Sequence, residues 1–172
     1  MIVLIGLPGS GKSTAARTLA RRLSLDLADS DQVIEQRLGC SIRSYFDSHG
    51  EQAFRDVEEA VIDELTQDSP HLVLATGGGA VLRPINRQRL RERGTVIYLR
   101  AAPEQLFKRL RHDTKRPLLQ GGDALKKLRD LYDERDPLYR ECAHFVVDTR
   151  GSSLSMLVNR IMMQLDLMPP AT

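Results

Sequence analysis

The first fourteen residues, Met1–Thr14, read MIVLIGLPGSGKST. An apolar run, Ile2–Ile5, is followed at once by a glycine-rich loop with the pattern G-x-x-x-x-G-K-[ST]. In this pattern successive backbone N–H groups can converge on one anion, provided that a strand precedes the loop and a helix follows it. The stretch therefore predicts a strand, a phosphate loop, a helix and a protein that binds a nucleoside triphosphate. A glycine-rich turn with an incidental Lys-Ser pair is the alternative.

The polar residues of this loop have distinct expected tasks. Lys12 can reach the β- and γ-phosphate oxygens, and the Ser13 hydroxyl can hold Mg²⁺. The helix that follows adds the positive end of its dipole. We expect the loop and the first helical turn to bind the nucleotide, through Gly9, Ser10, Gly11, Lys12, Ser13 and Thr14.

Length and composition indicate one globular domain over residues 1–172, with 41% hydrophobic and 28% charged residues. No apolar run approaches the ~20 residues that cross a membrane. A net charge of +2 gives little reason to expect a nucleic-acid partner. Cys40 and Cys142 are isolated, which favours a reducing cytoplasm and excludes a zinc framework. The 20 Arg against 5 Lys fit a protein that handles small anions, although a GC-rich genome would give the same bias.

Apolar strands alternate with helical patterns along the chain, which is typical of an α/β fold with a parallel sheet covered by helices on both faces. The predicted strands are Ile2–Ile5, Leu25–Ala28, Leu72–Ala75, Val96–Leu99 and Phe145–Val147. The predicted helices lie near Lys12–Leu23, Gln32–Leu38, Gln52–Gln67, Arg87–Arg93, Pro103–Leu110 and Ala124–Tyr139. A last helix is predicted by a stripe of apolar residues at helical spacing, Leu154, Leu157, Val158, Ile161, Met162 and Leu165.

Ligands in such sheets bind at the carboxyl ends of the strands, so the residues after each strand should converge. The second strand is followed by Asp29-Ser30-Asp31. Beside Mg²⁺ and ATP, one carboxylate could support the water shell of the metal, and the other could orient or deprotonate an acceptor hydroxyl. The alternative is helix capping, with Ser30 or Asp31 as the N-cap of the helix near Gln32.

The third strand is followed by Thr76 and three glycines, Gly77–Gly79. No acid stands there to assist a metal, which leaves Asp29 as the nearest candidate. Three glycines let the backbone approach a small ligand closely, whereas a plain turn, the alternative, requires fewer.

Two arginines and one loop leave similar choices open. Arg55 is either a ligand-binding residue or a surface partner of Glu51 and Glu59, four residues to either side, and Arg135 beside Glu134 has the same ambiguity. Residues 112–122, HDTKRPLLQGG, are either a surface loop or a closing segment that excludes water and brings Arg116 to the phosphates.

Together these segments resemble the shikimate kinase family over nearly the whole chain. The motifs that carry the resemblance are GSGKST at Gly9–Thr14, D-x-D at Asp29–Asp31, G-E-x-x-F-R at Gly50–Arg55, T-G-G-G at Thr76–Gly79, R-P-L-L at Arg116–Leu119, R-x-P-L-Y at Arg135–Tyr139 and V-D-T at Val147–Thr149. The resemblance implies transfer of the ATP γ-phosphate to the 3-hydroxyl of shikimate, in aromatic amino-acid biosynthesis. It also implies the nucleoside monophosphate kinase fold, a five-stranded parallel sheet ordered 2-3-1-4-5, in a monomer.

The resemblance further implies a role for each matched residue. Asp31 would act on the substrate hydroxyls as base or orienting group, and it would belong to a substrate-binding segment at about 31–60. Lys12 and Arg116 would be the other catalytic residues. Arg116 would lie on a lid at about 112–122. Arg55 and Arg135 would grip the shikimate carboxylate beside Gly77, Gly78 and Gly79. Arg109 and Arg150 would lie near the adenine. Ser13 would ligate one Mg²⁺ per subunit, with Asp29 assisting through water.

Two rival functions remain. Gluconate kinase is another small phosphate-loop kinase of a hydroxy acid, but the triple glycine and R-x-P-L-Y argue against it. A non-catalytic ATP-dependent regulator would not need Lys12, Ser13, Asp31 and Arg116 together. Whether quinate is also accepted stays open.

Overall fold

The computed structural model describes residues 1–111 and 123–169. The strands are β1 Ile2–Ile5, β2 Asp26–Asp29, β3 Leu72–Ala75, β4 Thr95–Arg100 and β5 Phe145–Asp148. The helices in these ranges are α1 Lys12–Leu23, α2 Ser30–Leu38, α3 Ile42–Thr66, α4 Pro84–Arg93, α5 Pro103–Leu110, α6 Ala124–Cys142 and α7 Leu154–Asp166. None of the helices in the described ranges is both long and apolar enough to span a lipid bilayer.

The five strands form one sheet in the order β2-β3-β1-β4-β5, and every pair is parallel. At its centre Val3 pairs with Leu74 on one side and with Val96 on the other. This order and the α/β class confirm the expected fold. Because β1 is central, the loop that follows it opens in the middle of the carboxyl edge, where the ends of β2 and β3 lie beside it.

Successive side chains of β1 point to opposite faces of the sheet, and each face has its own core. Val3 and Ile5 belong to a cluster that includes Leu90 of α4 and Leu128 of α6. Ile2, Leu4 and neighbouring strand residues pack instead on α1 and α7, through Ala15, Ala16, Leu19, Leu157, Val158 and Ile161. A smaller third cluster, Ile34, Phe54 and Val61, joins α2 to α3. The stripe predicted for the last helix therefore includes true core residues.

Several element boundaries differ from the sequence prediction, and two of these differences have a clear local cause. The second strand begins at Asp26 because the Leu25 N–H donates to the Ala20 carbonyl, 2.9 Å away, and so closes the last turn of α1. Helix α3 begins ten residues earlier than predicted, at Ile42 after the N-cap Ser41, and is interrupted at Gly50 (φ 84°, ψ 173°). The backbone of Gly50 is non-helical, so this run consists of two helices on either side of a kink, and the second corresponds to the predicted helix Gln52–Gln67.

Helix α4 joins α3 to the end of α6 through arginines. Arg93 Nη1 lies 2.7 Å from Asp63 Oδ1 of α3. On the other side of the helix, Arg91 Nη1 donates to the Ala143 carbonyl, 2.7 Å away, where α6 ends. Helices α3 and α6 carry Arg55 and Arg135, so α4 fixes the relative positions of the two helices that present these arginines.

Candidate functional site

The segments that follow β1, β2 and β3 meet at one cavity of about 340 Å³. It is lined by Pro8, Gly9, Gly11, Lys12, Ser13, Thr14, Asp29, Asp31, Thr76, Gly77 and Gly78. The convergence expected from the sheet topology is therefore present, with the glycine-rich loop on one side and the carboxylates on the other.

The loop after β1 has the backbone geometry of a phosphate loop. Gly9 and Gly11 adopt φ angles of 81° and 95°, a region that side chains disfavour, and Gly11 is the N-cap of α1. The buried Lys12 ammonium donates to the Leu7 carbonyl, 2.8 Å away, which holds it against the loop. The N-terminal end of α1 and one ammonium group therefore face the same cavity, which suits the phosphates of a nucleotide.

Asp29 connects this loop to α2. Its Oδ2 accepts a hydrogen bond from Ser13 Oγ at 2.8 Å, while its Oδ1 accepts from the backbone N–H of Asp31 at 3.0 Å and of Gln32 at 3.4 Å. Asp29 is thus the N-cap of α2. The alternative in which Ser30 or Asp31 caps this helix is wrong, and the Asp31 carboxylate is left available for other contacts.

The Ser13 hydroxyl and the Asp29 carboxylate are hard oxygen donors, the type that Mg²⁺ prefers. Within residues 1–111 and 123–169, no group of three or more His, Cys, Asp or Glu side chains is arranged to hold a metal ion. The Ser13 hydroxyl fits a direct ligand of a magnesium ion and the Asp29 carboxylate an acceptor for its bound water, with the remaining ligands supplied by phosphates and water, as is common for this ion.

Asp31 lies deeper in the cavity than Asp29, against the glycine segment, where a Cβ on Gly77 would overlap its Oδ1. Burial, together with the charges of Asp29 and Glu58, raises the pKa of the Asp31 carboxyl to about 6, and Lys12 opposes this rise. A carboxylate with a pKa near the working pH can both hold a hydroxyl and accept its proton. The geometry therefore suits a general base.

Arg55 is buried, with 8% of its surface exposed. Its ion pairs differ from the alternative in which Arg55 is a surface partner of Glu51 and Glu59. Its Nη1 lies 2.8 Å from Glu58 Oε1, and Glu58 is itself only 1% exposed. Glu51 is at 3.5 Å. The expected partner Glu59 instead lies 2.8 Å from Arg83 Nη1. The expected pairing of Arg55 with Glu59 is therefore wrong. Glu51 and Glu59 lie four residues from Arg55, whereas Glu58 lies three residues from it on the same helical face, a spacing that also brings side chains together.

Two donors in this region have no partner. The Nε atoms of Arg55 and Arg135 are buried without a hydrogen-bond partner among the described residues. No ion pair joins Arg135 to Glu134 in the part of the chain that the structure describes. Glu58 lies near both guanidiniums, whose charges lower its pKa against the opposing and larger effect of burial. The two unpartnered Nε donors suit a small anionic ligand, which would accept hydrogen bonds from the guanidiniums.

The three glycines bring these groups together. A Cβ on Gly78 would lie 2.7 Å from Pro8 Cδ and 3.3 Å from Arg135 Nη1, and a Cβ on Gly79 would overlap the Arg55 guanidinium. The Gly77 N–H donates to the buried Ser30 hydroxyl, 3.0 Å away. Side chains at these three positions would therefore displace Asp31 or the arginines, so the positions require glycine. A plain turn would not require three glycines. Ser30 is a further structural residue that the sequence did not reveal.

The remaining predicted residues lie at the edge of the site or outside the described ranges. The exposed Arg109 donates from Nη1 to the Gly9 carbonyl, 3.2 Å away, so it lies beside the phosphate loop. Arg150 follows β5, and its backbone N–H donates to Asp148 Oδ1 at 2.8 Å. The predicted lid at 112–122, with Arg116, is not among the described residues.

Comparison with known proteins identifies the family of this chain. A sequence model of this family, described as "Shikimate kinase", matches residues 8–166. The chain is 64% identical over 168 residues to a shikimate kinase of Paracidovorax citrulli (strain AAC00-1), covering 96% of this chain and 92% of that protein. It is 53% identical over 166 residues to a shikimate kinase of Burkholderia thailandensis, covering 96% and 90%.

A solved structure agrees with these sequences. The shikimate kinase from Acinetobacter baumannii in complex with shikimate superimposes with a TM-score of 0.90 at 43% identity, covering 95% of this chain and 91% of that one.

Proposed function

The chain belongs to the shikimate kinase family, and we propose that it transfers the γ-phosphate of ATP to the 3-hydroxyl of shikimate, giving shikimate 3-phosphate and ADP for chorismate and aromatic amino-acid synthesis. The observation that carries this proposal is the shared cavity. A phosphate loop and Asp31, a carboxylate with a raised pKa, line one cavity with Gly77 and Gly78, and the guanidiniums of Arg135 and Arg55 lie against Gly78 and Gly79. These are the groups needed for a phosphoryl donor, an acceptor hydroxyl and an acceptor carboxylate.

At the donor end, Lys12 and the N-terminal end of α1 hold the β- and γ-phosphates. Ser13 and, through water, Asp29 hold one Mg²⁺, which neutralises phosphate charge when bound. Arg109 and Arg150 contact the adenine side. Arg116 closes over the phosphates from the lid and meets the charge that develops during transfer. Support for this arrangement comes from the contacts of Ser13 with Asp29 and of Arg109 with the loop.

At the acceptor end, Arg55 and Arg135 bind the shikimate carboxylate, and Gly77–Gly79 let the ring approach the backbone. With the acid held there, the 3-hydroxyl reaches Asp31. Asp31 accepts the hydroxyl proton while the oxygen bonds to the γ-phosphorus. The bond from that phosphorus to the β,γ-bridging oxygen breaks, and ADP leaves with the electron pair.

We also propose that the protein is a single-domain monomer of the cytoplasm with shikimate as its small-molecule acceptor. The two cysteines support a reducing compartment, since Cys40 is exposed and unpaired and Cys142 is a free buried thiol.

The test is release of ADP from Mg²⁺-ATP by the purified protein with shikimate, quinate, gluconate or no acceptor. We expect release that depends on shikimate, with phosphorus NMR locating the new ester on the 3-oxygen. A Lys12→Met variant prepared in parallel detects any contaminating kinase. Release that depends on gluconate, or that needs no acceptor, would contradict the proposal.

A further inference from the structure

Tyr139 occupies the wall behind the glycine segment. It is completely buried, and its hydroxyl donates a hydrogen bond to the Gly78 carbonyl at 2.5 Å. The donor comes from the last turns of α6 and the acceptor from the loop after β3, so this bond joins α6 to the glycine segment.

Tyr139 lies four residues after Arg135, so both side chains project from the same face of α6. The neighbouring positive charge of Arg135 lowers the pKa of the Tyr139 hydroxyl, but burial raises it more, so the hydroxyl keeps its proton and remains a donor. Gly78 also lies against Arg135, since a Cβ there would be 3.3 Å from Nη1. The hydroxyl, the Gly78 carbonyl and the guanidinium therefore form one contact group.

The ring of Tyr139 is held independently of its hydroxyl. It packs on the ring of Tyr98, with the centroids 4.9 Å apart and an angle of 31° between the planes. The Tyr98 hydroxyl donates instead to Asp136 Oδ1, 2.8 Å away. Tyr98 and Tyr139 are thus two buried tyrosines with packed rings, and of this pair Tyr139 has its hydroxyl bonded to the glycine segment.

We propose that Tyr139 is a positioning residue for the acid pocket, by which we mean Arg55, Arg135 and Gly77–Gly79. Its hydroxyl ties the Gly78 carbonyl to α6 and so fixes Arg135 relative to the glycines. This inference rests on the proposed function, because it assumes that Arg135 binds the acceptor carboxylate. Tyr139 acts through Arg135 on acceptor binding, because its hydroxyl bonds to Gly78 and not to the phosphate loop.

The test compares Tyr139→Phe with Tyr98→Phe. Each variant loses one buried hydroxyl and keeps the stacked rings. A neutral hydrogen bond contributes about 0.5–1.5 kcal/mol, so Tyr139→Phe should raise the KM for shikimate roughly 2- to 10-fold. Its kcat and its KM for ATP should stay within about twofold of wild type. Tyr98→Phe should lose comparable stability with no change in the KM for shikimate.

A second measurement separates positioning from simple structural support. If Tyr139 acts through Arg135, then Tyr139→Phe should have no further effect on the KM for shikimate in an Arg135→Ala background. Thermal unfolding checks that every variant is folded at the assay temperature.

A wild-type KM in Tyr139→Phe, equal changes in both tyrosine variants, or full additivity with Arg135→Ala would overturn the positioning role. Each of these results leaves shikimate-dependent ADP release by the wild type intact, whereas absence of that release would contradict the proposed function itself.

Discussion

The two ends of the cavity are built in different ways. At the phosphate end the binding groups come from one continuous run, the loop after β1 and the first turn of α1, and Lys12 is held by a neutral backbone carbonyl. At the acid pocket they come from α3, the loop after β3 and α6, and Arg55 is held by the buried carboxylate of Glu58. Two guanidinium Nε atoms there have no partner among the described residues.

This difference indicates what each end depends on. The phosphate end depends on backbone conformation, which is fixed within a few consecutive residues. The acid pocket depends on charges placed by separate elements, so single substitutions can remove one contact without disturbing the rest. Variants at the acid pocket should therefore change acceptor binding while the nucleotide is bound as before.

The largest effect is expected at Asp31, where the two ends meet. Asp31→Asn keeps the shape of the side chain but cannot accept the hydroxyl proton, so turnover should fall by roughly 10²–10⁴. Affinity for ATP, measured by calorimetry, should change little. Near-normal turnover in this variant would mean that Asp31 only lines the cavity.

The next effect tests the charges of the acid pocket. Arg55→Ala or Arg135→Ala should weaken shikimate binding roughly 10- to 100-fold, because each removes a charge-assisted contact of about 1.5–3 kcal/mol. Arg55→Lys keeps the charge but loses the planar fork, and should still bind noticeably more weakly.

A shikimate analogue with the carboxylate reduced to an alcohol is the control for these arginine variants. Wild type should strongly prefer the acid, and the two alanine variants should discriminate much less. If both kept the full preference for the acid, the arginines would serve only their protein partners.

The pH profile gives a smaller, graded effect. Because the pKa of Asp31 is raised to about 6, the proton-accepting form is lost as the pH falls through that value. We expect kcat/KM for shikimate to fall about tenfold for each pH unit below about 6. The residual activity of Asp31→Asn should not follow this profile, and a wild-type profile that is flat down to pH 4.5 would contradict the role of Asp31 as base.

The smallest effect tests the close approach at the glycines. In Gly79→Ala the new methyl group would overlap the Arg55 guanidinium, so the KM for shikimate should rise roughly fivefold, near the lower end of the 1–3 kcal/mol typical of overpacking. Gly94→Ala is the matched control, since its Cβ would meet the flexible Met1 side chain at 3.0 Å, away from the cavity. An equal change in the KM for shikimate in Gly79→Ala and Gly94→Ala would show that the close approach at Gly79 has no role in binding.

The same contrast explains how far the sequence could predict the structure. The phosphate loop was predictable because its residues are contiguous and its conformation is local. The sheet order came from the resemblance, and the strands from their apolar runs. The partner of Arg55 was not predictable, because Glu58 and Glu59 are adjacent in sequence and only the packing of α3 decides which faces Arg55 and which faces Arg83. The part of α3 before Gly50 was not predicted, because this glycine, at a positive φ, separates it from the predicted helix Gln52–Gln67.

The burial of Asp31 has a consequence for the fold itself. Its carboxyl has an ordinary pKa near 3.8 and a raised pKa of about 6 in the folded chain, so folding favours the protonated form. The contribution of this group to stability is present below pH 3.8 and is lost as the pH rises through 6. At neutral pH the protein therefore maintains an ionised group that weakens its own structure, a trade-off between activity and stability. The slow Asp31→Asn variant should resist urea better than wild type at pH 8, and this advantage should disappear toward pH 4.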